Sequence, residues 1–155
     1  MTSTPYDGSR GGLTGADNTC QTIANNKGLG GSWKAWLSDS TGSPSTRFTQ
    51  STSGYKKLDE TLIANSWSDL VDGSLLSPIN IDENQASVAP GNVAWSDTLS
   101  NGNLRDMNSS CNNWNNGTSS YNGVKGNAGS ITGSWSDASI STGCQNANRL
   151  YCFEQ

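Results

Sequence analysis

The chain has 155 residues, enough for one folded domain with its own core, and 32% of them are apolar. Only 14% are charged, the net charge is −4 and the nine basic residues are scattered, which argues against nucleic-acid binding. Six Trp and four Tyr need a core to pack in, so the polar composition does not indicate disorder. No apolar run reaches the roughly 18 residues of a membrane span, so we expect no membrane insertion.

The chain contains no histidine. This absence excludes Ser-His-Asp and Cys-His catalysis, and it excludes zinc sites built on histidine. The adjacent carboxylates of Asp59 and Glu60 point apart in extended backbone, as do those of Asp82 and Glu83, so neither pair makes a two-carboxylate hydrolase site. We therefore expect a protein that is not an enzyme and that carries no cofactor.

The first predicted element is a helix over residues 14–28. Thr14 would cap it, apolar residues recur within it at helical spacing, and Gly28 would supply a left-handed stop. The stretch SWKAWLSDS that follows alternates like a strand. A second short helix is predicted over residues 66–73, capped by Ser66 and ended by Gly73.

The rest of the chain predicts short strands and long loops. Strand candidates lie at Tyr55, Leu75–Ile81, Val93–Trp95 and Arg149–Phe153. Residues 112–134 are dense in Asn, Gly and Ser and are predicted to form long loops with tight turns. Few helices and many short strands are typical of an α+β domain.

The four cysteines are Cys20, Cys111, Cys144 and Cys152. No C-x-x-C pair occurs, which disfavours zinc or redox chemistry and favours two disulfides formed in an oxidising compartment. Three connectivities are possible. A Cys144–Cys152 bond would close only a small loop, whereas a nested pattern would tie the first helix to the last strand.

Four stretches, taken in order, resemble the endostatin domain: GGLTGADNTCQ, GLGGSWKAWLSDS, CNNW and the C-x7-C ending. The stretches SDLVDGSLLSPINIDENQ and NRLYCFEQ resemble its bacterial relatives, endostatin-like surface proteins grouped as a domain of unknown function. The resemblance runs from about residue 11 to residue 155. It implies a C-type lectin-like fold with two small mixed sheets and two helices. It also implies two nested disulfides, Cys20–Cys152 and Cys111–Cys144.

The resemblance further implies a place and a task outside the cell. It implies a secreted or surface-displayed adhesion domain that binds ligands on another cell or matrix and has no enzymatic activity. We expect residues 1–155 to form one domain, and we interpret Met1 as a cloned start, so that the chain is the C-terminal domain of a longer surface protein. The zinc and heparin sites of endostatin are not carried over, because the histidines are absent and the four arginines lie far apart.

The candidate ligand site lies in the Asn- and Gly-rich loops. Its predicted residues are Asn116, Tyr121, Asn122, Lys125 and Trp135. Tyr121 stands alone in NNGTSSYNGVKGNAGS, and a lone aromatic in such a loop gives a large contact area at low entropic cost. The alternative is a surface tyrosine folded back onto the domain. The other five tryptophans are predicted to lie in the core: Trp33, Trp36, Trp67, Trp95 and Trp114.

One candidate metal ligand is Asp137. The triplet Trp135-Ser136-Asp137 precedes Cys144 roughly where calcium-binding C-type lectins carry Trp-Asn-Asp. Calcium needs about six to eight oxygen ligands, and here a serine replaces the asparagine. The alternative is a turn in which Asp137 accepts local backbone hydrogen bonds, and we expect no metal. The same Trp-Ser-Asp triplet also begins at Trp67 and Trp95.

Two alternative functions stay open. One is a glycan-binding lectin in the strict sense, and the other is a tip or assembly domain of an oligomeric surface fibre. The partner would be a surface glycan or protein of another cell, with a homo-oligomer such as a trimer formed through the parent protein. A concave patch with exposed aromatic and amide groups would favour a lectin, and a flat dry patch would favour a protein adhesin.

Overall fold

The computed structural model describes residues 1–89 and 91–155. Its helices are α1 (Gly12–Asn26), α2 (Pro44–Arg47), α3 (Trp67–Leu70) and α4 (Cys111–Trp114), with a 3-10 turn at Gly133–Trp135. Its strands are β1 (Trp33–Ala35), β2 (Tyr55–Lys56), β3 (Leu62–Ala64), β4 (Val93–Trp95), β5 (Asn122–Asn127), β6 (Ile140–Gly143) and β7 (Cys152–Glu154). The predicted α+β class is confirmed. Within these ranges, no helix has both the length and the apolar character needed to cross a membrane.

The strands form three small antiparallel sheets, β1–β7, β2–β3 and β4–β5–β6. The first strand pairs with the last, so that Trp33 lies opposite Glu154 and Ala35 lies opposite Cys152. The implied pair of mixed sheets is therefore wrong: each ladder among the described residues is antiparallel, and parallel pairing is limited to an isolated bridge between Ala94 and Arg149. The resemblance implies two helices, but the structure has one helix of 15 residues and three helices of a single turn each.

Helix α1 begins two residues before the predicted start. Gly11 and Gly12 have left-handed φ angles of 75° and 72°, and no side chain caps the helix. The prediction that Thr14 caps it is wrong, because glycine geometry already turns the chain into the helix and Thr14 lies inside it. Gly28 has the predicted left-handed conformation, with φ at 68°. The buried face of α1 consists of Leu13, Ala16, Cys20 and Ala24.

Side chains of α1 close the outer edge of β1. Asp17 Oδ1 accepts a hydrogen bond from the Ala35 backbone N–H at 2.9 Å, and Gln21 Oε1 accepts one from the Trp33 N–H at 2.8 Å. The Asp17 carboxylate also binds the Arg47 guanidinium through Nη2 at 2.6 and 2.7 Å. The edge strand is thus covered by a helix and offers no open ladder to another chain.

We expect Asp17→Ala to lower the free energy of unfolding by about 2–3 kcal/mol, because it leaves a strand N–H and a half-buried guanidinium without their partner. Urea unfolding measures the loss. Asp17→Asn keeps an oxygen for the Ala35 N–H and should lose about half as much. Equal stability of both variants and the wild type would contradict this role.

Helix α3 and two strands match their predictions. Ser66 caps α3, with its Oγ accepting from the Asp69 N–H at 3.4 Å, and Gly73 follows with φ at 99°. Strands lie at Tyr55 and at Val93–Trp95 as expected. The predicted strand over Leu75–Ile81 is wrong, because that segment joins the rest of the chain through isolated bridges at its two ends.

Helix α4 is a single left-handed turn. The φ angles of Cys111, Asn112, Asn113 and Trp114 lie between 50° and 58°. For ordinary L-residues this conformation costs about 1–2 kcal/mol each, although asparagine tolerates it better than most. The turn is held by the Cys111–Cys144 disulfide and by the buried Trp114 ring, whose Nε1 donates to the Ser38 carbonyl at 2.7 Å.

Strand β5 is the longest strand, and it lies where loops were predicted. The glycines that suggested turns instead permit close packing. A Cβ on Gly123 would lie 2.7 Å from the Trp95 ring, and a Cβ on Gly126 would lie 1.9 Å from the Trp135 carbonyl oxygen. The loop prediction for residues 122–127 is therefore wrong, because the need for these small residues is created by distant tryptophans.

The core consists of two clusters and two disulfides. One cluster surrounds Trp36, whose ring lies 4.8 Å from that of Trp135 and 5.6 Å from that of Phe153, measured between centroids. The other contains Trp95 and Trp114, whose rings are 5.6 Å apart, together with buried cysteines. The disulfides pair Cys20 with Cys152 and Cys111 with Cys144, which confirms the nested pattern.

Candidate functional site

The structure places the predicted loop residues at the surface. Tyr121 is 42% exposed, and its backbone carbonyl accepts from the Cys144 N–H at 2.9 Å. Asn122 is exposed at the start of β5. Asn116 uses its Oδ1 within its own turn, accepting from the N–H and the hydroxyl of Thr118 at 2.9 and 2.7 Å. Tyr121 and Asn122 therefore remain open to a ligand, whereas the side-chain oxygen of Asn116 is already hydrogen-bonded.

Two predicted residues do not join this surface. Successive residues of a strand point to opposite faces, and β5 pairs regularly with β6, so Asn122 and Lys125 face opposite sides of the sheet. Trp135 is fully buried, with its ring against those of Trp36 and Tyr151. The prediction that Trp135 contacts a ligand is wrong, because the aromatic core encloses its side chain.

The candidate metal ligand Asp137 is already paired. Its Oδ2 accepts from Arg105 Nε at 2.9 Å, and its Oδ1 accepts from the Ser139 N–H at 2.8 Å. The neighbouring Ser136 is buried and donates to the Thr98 carbonyl at 2.7 Å. These contacts favour the interpretation of Asp137 as a turn residue that accepts local hydrogen bonds over its interpretation as a calcium ligand. In the part of the chain that the structure describes, no three acidic, histidine or cysteine side chains converge as a metal site.

A large open groove lies elsewhere, between the segment that follows α1, the β2–β3 hairpin and the outer edge of β7. Its volume is about 830 Å³. Residues that line it include Trp33, Gln50, Tyr55, Lys56, Glu154 and Gln155. These side chains combine aromatic surface, amides and charges of both signs. We call this feature the β7 groove.

Hydrogen bonds and packing fix the aromatic walls of the β7 groove. The Trp33 indole Nε1 donates to the Gly30 carbonyl at 2.7 Å. The Tyr55 ring packs edge-on against Phe153, with centroids 6.0 Å apart, and its hydroxyl accepts from the Ser51 N–H at 3.1 Å. Burial raises the pKa of the Tyr55 phenol. Both rings are therefore rigid surfaces.

The backbone of β7 contributes to the same groove. Tyr151 O accepts from Trp36 N at 2.9 Å and Gln155 N donates to Ser32 O at 2.8 Å, so alternate residues of the last strand bond towards β1. The peptide groups of the intervening residues, Cys152 and Glu154, point the other way, toward the groove that both line. An extended ligand lying there would meet backbone donors and acceptors as well as side chains.

Sequence reasoning missed the β7 groove. It assigned Trp33 to the core, but this side chain is only half-buried. The signal available locally was the Gly30-Gly31 pair before Trp33, which leaves little side-chain cover next to the indole. No local signal joins Trp33 to Gln155, because these residues come from opposite ends of the chain.

Residues 3–131 match the family model described as "Protein of unknown function (DUF1554)". The chain belongs to this family. The match confirms the broader part of the resemblance, a domain of unknown function, and it includes Trp33, Tyr55 and Tyr121. The last strand lies beyond the matched range of the DUF1554 model. A comparison with curated proteins gave no match.

Proposed function

We propose that this DUF1554 domain is a non-enzymatic recognition domain that holds a ligand on another cell or on the matrix. The observation that carries the proposal is the β7 groove, an open cleft of about 830 Å³ with rigid aromatic walls. Such clefts, with a few convergent polar groups, are the usual form of a binding site. The exposed surface at Tyr121 and Asn122 is the second candidate contact region.

We further propose that the fold is endostatin-like and C-type lectin-like. Three features support this assignment: β1 pairs with β7, the disulfides are nested, and the two ends of the chain lie side by side, with Thr2 N donating to Leu150 O at 2.9 Å. Two disulfides in a domain of this size also support a location outside the cytosol, at the cell surface or beyond it.

The chemistry of the β7 groove supports binding rather than catalysis. Its carboxylates and Lys56 are exposed, and Lys56 pairs with Glu60 at 3.0 Å, an ordinary surface ion pair. No histidine is available to move a proton. What the groove offers is aromatic surface for stacking and amide groups for hydrogen bonds.

A glycan is the ligand class that this lining favours. Sugar rings stack on aromatic surfaces, and side-chain amides both donate and accept hydrogen bonds to hydroxyl groups. Trp33 and Tyr55 supply the rings, and the exposed Gln50 supplies an amide whose Oε1 is open to a ligand. The Gln155 amide is bound within the protein, where Oε1 accepts from the Thr49 N–H and Nε2 donates to the Phe153 carbonyl. A concave patch with aromatic and amide groups was expected of a lectin, and the lining of the β7 groove supports that alternative more than the loops do.

We expect Trp33→Ala to weaken ligand binding by tenfold or more, because truncating an aromatic anchor costs about 2 kcal/mol or more. The measurement is a glycan array followed by titration of the hits and of matrix proteins. Tyr121→Ala is the matched control, since it removes an exposed aromatic from the other candidate surface, and it should change affinity less than twofold. Melting temperatures of both variants verify folding.

Other outcomes separate the remaining possibilities. If Tyr121→Ala abolishes binding and Trp33→Ala does not, the ligand binds at the loop surface and the groove assignment is wrong. If matrix proteins bind and the glycan array is blank, the recognition function is supported and the glycan ligand class is rejected. If the domain binds neither class and instead self-associates on size exclusion, the fibre-assembly alternative replaces the proposal.

A further inference from the structure

Asp97 carries a buried carboxylate with no hydrogen-bond partner. Its side chain is 0% exposed, and neither carboxylate oxygen accepts a hydrogen bond from the residues that the structure describes. Its backbone is also left-handed, with φ at 48°. An ionised carboxylate removed from water is strongly unfavourable unless a counter-charge compensates it. Asp97 follows Trp95-Ser96 in one of the three Trp-Ser-Asp triplets.

The charges around Asp97 increase this cost. Burial raises its pKa to about 8, and the carboxylates of Asp106, Asp137 and Asp39 act in the same direction. Arg105 is the cation that opposes them, and its Nε binds Asp137 at 2.9 Å. The three carboxylates around Asp97 oppose one guanidinium, an excess of two negative charges. This pocket of the fold therefore attracts positive charge.

A second buried oxygen without a partner belongs to Ser110, on a neighbouring segment of the chain. Ser110 is 1% exposed, and its Oγ has no hydrogen-bond partner among the described residues. The two segments meet at Val124, whose carbonyl accepts from the Asp97 N–H at 3.4 Å and whose N–H donates to the Ser109 carbonyl at 3.1 Å. The N–H and carbonyl of a strand residue point to the same side, so Asp97 and Ser109 lie along one edge of β5. The Arg105 backbone N–H donates to the Asp97 backbone carbonyl at 3.0 Å, and this bond closes the loop between the two residues.

We propose that Asp97 is the central ligand of a divalent cation site of the calcium class, completed by the Ser110 hydroxyl, the Asp106 carboxylate and water or carbonyl oxygens of the 97–110 loop. Calcium accepts such mixed oxygen ligands, including bidentate carboxylates, hydroxyls, carbonyls and water. The set contains no sulfur or imidazole, which disfavours zinc. This site is separate from Asp137, whose charge is already paired with the Arg105 guanidinium at 2.9 Å.

The number of acidic ligands is small. Three acidic side chains do not converge within the described residues. Asp97 and Asp106 would therefore supply the negative charge, and neutral oxygen atoms would fill the remaining coordination positions. Asp106 already accepts from the Asn108 N–H and the Ser109 hydroxyl, and these bonds lower its pKa and keep it ionised. Each carboxylate oxygen retains a further lone pair for a cation.

A bound cation explains the site better than a bound proton. Protonation would neutralise Asp97, but the resulting O–H would be a buried donor that itself needs an acceptor. A cation satisfies Asp97 and Ser110 at once and offsets the negative potential of Asp106.

The test begins with wild-type protein stripped by EDTA and titrated with CaCl2. At free Ca²⁺ about 100-fold above Kd, the melting temperature should rise by about 5–10 °C. Tb³⁺ in the same site should emit on excitation of tryptophan, since Trp95 is two residues from Asp97. Asp97→Asn should abolish both responses and, in EDTA, should be at least as stable as the wild type. Asp59→Asn, at an exposed loop position, is the matched control and should retain both responses.

Two results would overturn the proposal. The first is a wild-type melting temperature and Tb³⁺ emission that do not respond to these cations. The second is an Asp97→Asn variant that still binds them as the wild type does. Should Asp97→Asn fail to fold, Asp106→Asn provides the decision: a tenfold or greater loss of Ca²⁺ affinity in a folded protein supports the site, and unchanged affinity rejects it.

Discussion

Replacing both Cys20 and Cys152 by alanine should lower the free energy of unfolding by about 5 kcal/mol. The bond joins residues 132 positions apart, and the stabilisation from loop closure grows with that separation. It also fastens α1 to β7, the strand whose outer edge forms the β7 groove. Since domains are stable by only about 5–15 kcal/mol, the variant should lie close to its unfolding limit at 37 °C. Guanidinium unfolding under non-reducing conditions measures the loss.

The inner disulfide provides the control. Cys111 and Cys144 are 33 positions apart, so their loss should cost about 4 kcal/mol by the same argument. The two variants should also differ in which site they affect. Loss of Cys20–Cys152 should weaken ligand binding at the β7 groove, whereas loss of Cys111–Cys144 should release the left-handed turn next to Ser110 and weaken the Ca²⁺ response. A variant without the Cys20–Cys152 disulfide that is as stable as the wild type would contradict this stabilising role.

Trp36→Ala should lower the free energy of unfolding by about 3–5 kcal/mol, the usual range for truncating a buried aromatic side chain. Trp36 is fully buried, and its ring contacts four aromatic neighbours. These are Phe48, Trp67, Trp135 and Phe153. Its Nε1 also donates to the buried Ser136 hydroxyl at 2.7 Å, so alanine removes ring packing and a buried hydrogen bond together. Denaturant unfolding followed by circular dichroism measures the effect.

Two variants test the origin of the Trp36 effect. Trp36→Phe keeps an aromatic ring but removes the indole N–H, and it should lose less than half as much stability as alanine. Trp33→Ala removes the same side chain from the half-buried wall of the β7 groove and should cost about 1–2 kcal/mol, because the transfer term scales with buried area. Equal losses at positions 36 and 33 would mean that Trp36 is not the centre of the core.

Local sequence predicted the exposed loop aromatic but neither of the two proposed sites. The exposed aromatic of the 115–130 segment was found correctly, because Tyr121 has no apolar neighbour to pack with. The β7 groove was missed, since its walls come from residues 29–33, the β2–β3 hairpin and the last strand. Asp97 was also missed. Its triplet resembles the one at Asp137, and only the surrounding packing leaves one carboxylate paired with Arg105 and the other without a partner.

The sequence by itself determined what depends on local chemistry: the α+β class, the presence of disulfides, the capped start of α3 at Ser66 and the left-handed stop at Gly28. These features follow from composition and from the conformations open to single residues. The tertiary structure decided the rest. Gly123 and Gly126 lie in a strand because β5 pairs with β4 and β6, and Trp95 and Trp135 leave no room for a Cβ at either position. Trp135 is enclosed by residues distant in sequence. Burial and pairing depend on which distant segments meet, and local sequence does not contain that information.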